Sequence, residues 1–516
     1  MSSAEQTVEP TLTRRAVSGT AWSTLATVGR QVLSFASVAT VARLLGPKAY
    51  GVMGMANLLI VFILVFRDLG TGTAIIQRLS ISNRLLSSLF WVNCLLGMAM
   101  SLAVVGVSPL AAAFFHTHEL IPILSTLSLS FWLTSCGIVQ SSILRREMRF
   151  KTLAVVDLVS GLISYLVALS FAFTGFGVWS LVFANLANSV AATLMYWFAS
   201  EWRPSREFDA AEVKSVVGFS LNLSGFGVVN YFGRNADNII VGKLLGQAQL
   251  GDYQMAYNLM LTPIQNISSV MAQVTLPAFA RIQDDNERFC QAYIRSCMMI
   301  GLITFPVMAG LGIVADPLIR ALLGAKWVGA ILIFQILAPV GLVQSVQTTI
   351  GQIFVAKGRT DWFFWWGMVS AIIFVIAFLI GVRFGTAGVA AAYCIVYIGV
   401  LMVPGFWIPF RLIGLKLSRF ANALLAQLLI TAAMTAVCGF WLFGLHRLGI
   451  FNPWIGLVST SVLGALVYVA ALVLLRPRVM EVMEEIMEHY GNPMVTRSLR
   501  VLRAITLRDK AYRSAW

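Results

Sequence analysis

Charge is scarce in this sequence. Asp, Glu, Lys and Arg make up 11% of its 516 residues, against about 25% in an ordinary soluble domain. A water-exposed globule of this length is therefore excluded. Histidine is limited to four residues; His116 and His118 sit beside Glu119 in a short loop, too few ligands for a metal centre, so no metal or cofactor is expected. Cys94, Cys136, Cys290, Cys297, Cys394 and Cys438 form no CxxC pair, which excludes a disulfide framework and zinc or thioredoxin motifs and leaves free thiols acting as small hydrophobes. There is no GxxxxGK[ST] loop for ATP hydrolysis, and no GxxxDRxGRR of the twelve-span facilitators. A cleavable signal is not expected either. The polar tail 1–13 is followed by Arg14 and Arg15 and a first apolar helix reaching Leu45, too long for a signal core of 7–15 residues.

What remains is apolar: 58% of residues are hydrophobic and mean hydropathy is +0.82. Crossing a bilayer takes roughly 20 apolar residues as a helix, because backbone amides in lipid must bond within their own segment. The runs are too long and continuous for barrel strands. They predict an all-α integral membrane protein with about fourteen spans. The first six run over 17–42, 52–69, 85–108, 120–143, 153–174 and 177–199. The next six are 216–242, 252–277, 291–314, 328–356, 362–382 and 387–409, with two more at 420–443 and 454–475. The net charge of +15 does not signal nucleic acid, because the cations lie in loops and in the C-terminal tail. With the N-terminus inside, 27 of the 37 Lys and Arg residues fall in cytoplasmic segments and 7 in outer ones; Arg30, Arg67 and Arg234 lie in or at the edge of spans. That bias supports an even number of spans and two cytoplasmic termini.

The chain repeats itself. VARLLGPKAYGVMGMANLL at 41–59 aligns without gaps on 241–259: Val41, Leu44, Leu45, Gly46, Gly51, Met55, Ala56 and Leu59 recur 200 residues later. A weaker echo pairs Gly175–Val178 with Gly385–Val389. Two pseudo-symmetric six-helix lobes are expected, a parallel repeat about an axis along the membrane normal, plus two extra C-terminal helices. The expected layout is a cytoplasmic tail 1–13, an N-lobe 14–199, a cytoplasmic linker 200–215, a C-lobe 216–410, helices 13 and 14 over 411–475, and a basic cytoplasmic tail 476–516. Past Gly491-Asn492-Pro493 that tail places Val495, Leu499, Leu502 and Ile505 near one face. It reads as an amphipathic helix on anionic membrane lipid, or as a disordered basic tail.

Two-lobed transporters bind near the midplane, and an Arg at that depth costs about 2.5–3.5 kcal/mol unless it faces a cavity or partner. Span 1 carries Ser23, Thr27, Arg30, Ser34 and Ser37 on one stripe, and span 7 carries Gly227, Asn230, Arg234 and Asp237. Positions 27, 30, 34 and 37 fall on 227, 230, 234 and 237, so the two stripes occupy equivalent faces. Span 8 adds Gln254, Asn258, Thr262, Gln265 and Ser269. The expected cavity lining is thus Thr27, Arg30, Ser34, Asn230, Arg234 and Asn258, with the two arginines forking onto an anionic group. Alternatively Arg30 bonds backbone or snorkels and Arg234 pairs with Asp237. Asp237 is read either as a coupling site for a proton or cation or as that ion-pair partner. Arg67 and Asp68, in FRDLGTG at the end of span 2, are read as a cytoplasmic gate or an interfacial pair.

The run GRQVLSFASVATVARLLGPKAYGVMGMANLLIVFILVFRDLGTGTAIIQR, Gly29 to Arg78, resembles the polysaccharide-exporter branch of the multidrug/oligosaccharidyl-lipid/polysaccharide flippase superfamily. GRNADNIIVGKLLG, Gly233 to Gly246, resembles the same branch, close to colanic-acid and teichuronic-acid exporter-like proteins. The resemblance implies a flippase of the bacterial inner membrane whose cargo is an oligosaccharide on an undecaprenyl diphosphate carrier. It implies alternating access through a cationic cavity, for exopolysaccharide, capsule or O-antigen synthesis. It implies anionic lipid, a polysaccharide polymerase and a chain-length regulator as partners. Arg30 and Arg234 become the contacts for diphosphate or acidic sugar; Asn235, Asp237 and Asn238 belong to the matching motif, and Arg67 and Asp68 match its helix-2 end. Helices 13 and 14 are expected to form a groove for the polyprenyl tail. Two other classes compete. A cation-coupled drug antiporter of the same superfold would not need the extra helices. A membrane polymerase or ligase would need a long outer loop with catalytic carboxylates, and no outer loop exceeds roughly fifteen residues. The chain is therefore expected not to be an enzyme.

Overall fold

The computed structural model describes residues 22, 27–64, 71–78, 81–217, 221–450 and 452–483, apart from some side chains within 73–74, 211–230 and 269–277. Among these residues every regular element is a helix. The main helices are α1 (27–45), α2 (Pro47–Leu64), α3 (Asn83–Phe115), α4 (Leu120–Ser135 continued by Ile138–Arg146), α5 (Phe150–Phe173), α6 (Trp179–Ala199) and α7 (Leu221–Leu245). Then come α8 (Gln247–Arg281), α9 (Asn286–Ile313), α10 (Val328–Gln347 continued by Ile350–Ala356), α11 (Thr360–Gly381), α12 (385–413), α13 (Leu417–Arg447) and α14 (Pro453–Leu475). Each of the fourteen expected spans coincides with one of them. Nine described helical stretches are long and apolar enough to cross a membrane, and the α4 pair, bent 40° at Cys136-Gly137, makes ten. One stretch, Thr360–Ile413, holds two expected spans in its 54 residues. The set is consistent with fourteen spans. α7, α8 and the described part of α1 do not pass that test, because Arg30, Gln31, Arg43, Arg234, Asp237, Lys243 and a series of Asn and Gln residues dilute their apolar character.

Short helices that the apolar runs did not announce cap the long ones: Thr71–Gln77, Ala210–Val217 and Ala315–Leu322. Helix starts follow capping chemistry. Ser82 accepts from Leu85 N at 3.0 Å, Asp285 from Arg288 N at 3.1 Å, and Asn452 from Trp454 N at 2.9 Å with Pro453 at the first helical position. Two helices carry a π-helical stretch, Val38–Ala42 in α1 and Ile395–Leu401 in α12.

The chain divides into two compact units, Met1–Gln254 and Met255–Trp516. In the first, α3 packs on α4, α5 on α6, α4 on α6, and α7 on α2. Lipid supplies no hydrophobic drive between helices, so small residues and polar contacts hold them. Ser101 Oγ donates to Ser128 O at 2.6 Å, Thr193 Oγ1 to Leu133 O at 3.0 Å, and Trp197 Nε1 to Cys136 O at 2.8 Å. In the second unit α9 packs on α10 and α13, α11 on α12, and α13 on α14. Tyr468 OH donates to Leu302 O at 2.8 Å and Gln427 Nε2 to Met298 O at 3.1 Å. Its core is aromatic at one end, where Phe279, Phe289, Tyr293, Phe410 and Phe420 are buried together. The outward faces are apolar: Leu95, Leu102, Leu110, Leu429, Phe440 and Leu466 are all exposed, as a lipid-facing surface requires. This is a multi-pass membrane protein.

The repeat has a physical counterpart inside the first unit. α1 ends at Gly46 (φ 82°) and α7 at Gly246 (φ 90°), a backbone conformation that only glycine adopts without strain. The next helices begin at once and lean on each other. A Cβ on Gly51 would overlap the Gln247 carbonyl, and a Cβ on Gly251 would overlap the Pro47 carbonyl. With an offset of 200 these are the same contact made twice, so a two-fold pseudo-axis passes between the starts of α2 and α8.

Candidate functional site

α1 is held against α5 by close approach of small residues. The Cβ position of Gly29 lies 2.5 Å from a Leu158 methyl, that of Gly161 lies 3.7 Å from Leu33, and Thr40 Oγ1 meets Tyr165 OH at 3.3 Å. At about 100° per residue, the side of α1 away from this packing divides into two exposed sectors, their centres about 130° apart. One is apolar, with Val28, Val32 and Phe35 exposed. The other bears Thr27, Arg30 and Ser34, also exposed. An apolar face suits lipid, and a polar face at that depth suits a wet space.

Arg30 is not alone on that face. Its Nη1 lies 3.3 Å from Asp157 Oδ2 on α5, with the side chains 54% and 34% exposed. Tyr196 of α6 lies beside the same carboxylate, and Arg145 at the end of α4 lies within electrostatic range of Tyr196. Three helices, α1, α5 and α6, thus meet at one half-open carboxylate. Asp157 was missed at the sequence level. The signal was present: a lone carboxylate inside an apolar run is expensive and marks a partner or a pathway.

The span 7 residues are arranged differently. Arg234 is exposed. Asp237 is 5% exposed and turned into the protein, where its carboxylate accepts from Tyr253 OH at 2.9 Å, Asn238 N at 2.7 Å and Asn238 Nδ2 at 3.2 Å. Asn235 Nδ2 donates to Tyr231 O at 2.9 Å. Among the described residues no ion pair joins Arg234 to Asp237 and no polar contact joins Arg30 to either. The i,i+3 pairing of Arg234 with Asp237 is replaced by the buried Tyr253 contact, because Tyr253, fully buried on α8, reaches the carboxylate across the α7–α8 hairpin. Asn258 is exposed on α8, its carbonyl accepting from Thr262 Oγ1 at 2.7 Å. The Asn230 side chain, Arg67, Asp68 and the tail beyond residue 483 lie outside the described residues. Within the second unit, α13 and α14 together with α9 line an apolar cavity of about 480 Å³, with Leu302, Pro306, Met434, Gly464 and Tyr468 among its walls. No group of His, Cys, Asp and Glu among the described residues could hold a metal ion.

Known proteins share both the sequence and the fold. The chain is 26% identical over 428 residues to the teichuronic acid biosynthesis protein TuaB of Bacillus subtilis, covering 82% of this chain and 88% of that protein. It is 28% identical over 390 residues to the lipopolysaccharide biosynthesis protein WzxC of Escherichia coli, covering 75% and 79%. It is 26% identical over 475 residues to the succinoglycan biosynthesis transport protein ExoT of Rhizobium meliloti, covering 90% and 94%. Among solved structures, the lipid II flippase MurJ in its inward closed conformation superposes with a TM-score of 0.68 at 17% identity, over 87% of this chain and 97% of that one. An inward-facing multidrug transporter of the MATE family and MOP superfamily gives 0.63 at 16% identity, over 75% and 94%. These two likenesses establish the fold. The expected resemblance to exporter-like proteins of polysaccharide biosynthesis is met in the three sequence relatives. A further match, to the family described as Polysaccharide biosynthesis protein, starts at residue 40 and ends at residue 332, so it takes in Asp157, Arg234, Asp237 and both copies of the repeated hairpin junction. More than half of the chain lies inside it, and the protein is a member of that family.

Proposed function

We propose that the protein flips an oligosaccharide linked to undecaprenyl diphosphate across the bacterial inner membrane by alternating access, supplying exopolysaccharide, capsule or O-antigen synthesis. The observation that carries this reading is the match, over nearly the full length of both chains, to a relative named as a succinoglycan biosynthesis transport protein. Chemistry supports it. A diphosphate headgroup cannot cross hydrocarbon bare, and exposed cations at membrane depth lower that barrier. Arg30 is the first candidate for the headgroup, since its guanidinium is permanently charged and held half-open by Asp157. An arriving diphosphate competes with that carboxylate for the same fork. Arg234, exposed on the equivalent face of the second repeat, is the other candidate, with Thr27, Ser34, Asn230 and Asn258 as polar lining. Asp237, locked by Tyr253, serves the α7–α8 hairpin or a coupling proton or cation. Arg67 and Asp68 remain the cytoplasmic gate of this reading. Anionic lipid beneath the basic tail, a polymerase and a chain-length regulator are its partners, and both termini are cytoplasmic.

The test uses the full chain in vesicles carrying a fluorescent lipid-linked oligosaccharide. Protection of the label from a membrane-impermeant quencher reads transbilayer movement. Wild type is expected to move the label between leaflets, and Arg30→Gln to slow it at least about tenfold, a change of ~1.4 kcal/mol in barrier. Absence of lipid movement combined with proton-driven efflux of small cations would establish the drug-antiporter reading instead. Unchanged rates in both Arg30→Gln and Arg234→Gln would remove the arginines from the pathway.

A further inference from the structure

The second unit holds a polar pocket that the proposed transport path does not use. Its volume is about 390 Å³, and it lies where Ala315–Leu322 meets the turn between α13 and α14, walled by Asp316, Pro317, Arg320, His446, Asn452 and Gly456. It stands directly on the apolar cavity described above. Three elements serve both spaces: Val314 and Asp316 from the end of α9 onward, Cys438 and Leu442 on α13, and Thr460 and Gly456 on α14, the first of each pair lining the apolar cavity and the second the polar one. On the two long helices the paired residues are four apart, about one turn. The two spaces therefore form one seam, apolar in depth and polar at the end.

The polar end carries the residues typical of headgroup level. Trp441 and Trp454 are both exposed beside it, and Trp441 Nε1 bonds Ser459 Oγ at 3.0 Å. Exposed tryptophans of this kind concentrate at membrane–water interfaces. The charge pattern then specifies the headgroup. Arg320 Nε donates to Asp316 Oδ1 at 2.7 Å, with the side chains 41% and 39% exposed. Among the described residues the two terminal guanidinium nitrogens of Arg320 and the second oxygen of Asp316 have no other partner. Asn452 spends Oδ1 on its helix cap, so its Nδ2 donors are left to the pocket. His446 Nδ1–H donates to Leu442 O at 2.9 Å, which fixes the ring's orientation on the pocket wall. The pocket thus offers a cationic donor set next to an anionic acceptor, one helical turn apart. A diphosphate would gain Arg320 but meet the Asp316 carboxylate. A zwitterion whose ammonium and phosphate are joined by two carbons complements both.

We propose that this seam is a binding site for a bilayer phospholipid with a primary ammonium headgroup, its phosphate on Arg320 and Asn452, its ammonium on Asp316, and an acyl chain in the apolar cavity below. The site belongs to the leaflet that the charge bias places outside. It does not depend on the cargo, and a protein that failed to flip any oligosaccharide would still bind here. A quaternary ammonium lacks the N–H that Asp316 accepts, so phosphatidylcholine is disfavoured. Gly310 offers a way to fill the cavity without breaking the fold, since its Cβ position meets nothing nearer than a Met434 methyl at 4.0 Å.

Full-length protein in phosphatidylcholine nanodiscs doped with equal phosphatidylethanolamine and phosphatidylglycerol is released into native mass spectrometry, and the retained lipid is identified. Wild type is expected to keep one phosphatidylethanolamine, with at least tenfold preference over either other lipid. Asp316→Asn should abolish the preference over phosphatidylcholine, Arg320→Gln should lose retention, and Gly310→Leu should lose it with the polar pocket intact. Should Arg320→Gln not accumulate, Asp316→Asn and Gly310→Leu carry the test. Equal retention of phosphatidylglycerol by wild type, displacement of the bound lipid by undecaprenyl diphosphate, or wild-type selectivity in Asp316→Asn would each overturn the proposal.

Discussion

α1 and α2 share a backbone plan with α7 and α8 and differ in their chemistry. At the junctions the copies agree. Val41 and Val241 are fully buried, as are Ala56 and Ala256, and Met55 and Met255 are nearly so. Gly46 and Gly246 turn the chain with the same positive φ, and Gly51 and Gly251 each admit the other copy's backbone. Away from the junctions they diverge. Position 30 is an exposed arginine beside Asp157, whereas position 230 is asparagine; position 37 is serine, whereas 237 is a carboxylate sealed by Tyr253. Most residues retained between the copies are ones that close packing or backbone conformation demands; Leu244, more than half exposed, is not. Residues free of that demand have become one open charged pair and one closed polar lock.

The reciprocity of the glycine contact is the feature with the largest expected consequence. Gly51→Ala and Gly251→Ala should each destabilise the protein by about 3 kcal/mol or more, since the obstructing atom is a backbone oxygen and cannot rotate away. The thermal midpoint of the purified protein measures this. If one alanine were tolerated and the other not, the two contacts would not be equivalent. Tyr253→Phe should cost about 2 kcal/mol, the scale of a hydrogen bond to a buried charged group, while transport changes less than threefold. A loss of transport at unchanged stability would move Asp237 from hairpin support to coupling. Asp157→Asn should lower transport about tenfold, ~1.4 kcal/mol in barrier, yet shift stability by less than about 1 kcal/mol because the ion pair is half-exposed. Exchanging the two residues (Arg30→Asp with Asp157→Arg) should restore stability without restoring transport, if the position of the cation matters. Smallest of all, Gly106→Ala and Gly439→Ala, where nothing lies within 4 Å of the added carbon, should change stability by under about 1 kcal/mol, in the stabilising direction.

Much of this was legible beforehand, for identifiable reasons. Membrane helices announce themselves because unsatisfied backbone in lipid is so costly that long apolar runs have one solution. Each expected span therefore met a helix, although α2 begins at Pro47 rather than at 52 and α3 runs on to Phe115. The repeat was visible because most of its identities are packing or turn positions. The short helices Thr71–Gln77 and Ala315–Leu322 were not, because seven or eight residues carry too little periodic signal. The polar stripe of α1 was legible from spacing alone, and its exposure follows. Its partner was not, since spacing within one helix is silent about which residue of another helix will face it. Asp157 lies 127 positions from Arg30, and only the packing of Gly29 on Leu158 brings them together.

By itself, then, the order of residues determined that this chain is helical, lies in a membrane and is built on a doubled plan, because hydropathy and glycine placement act locally along the backbone. The tertiary structure decided which charges are neutralised and which stay open: Arg30 with Asp157, Asp237 with Tyr253, Arg320 with Asp316 at the mouth of an apolar seam. Electrostatic partners are chosen by distance in space, and for the first of these pairs that distance exists only after the helices have packed.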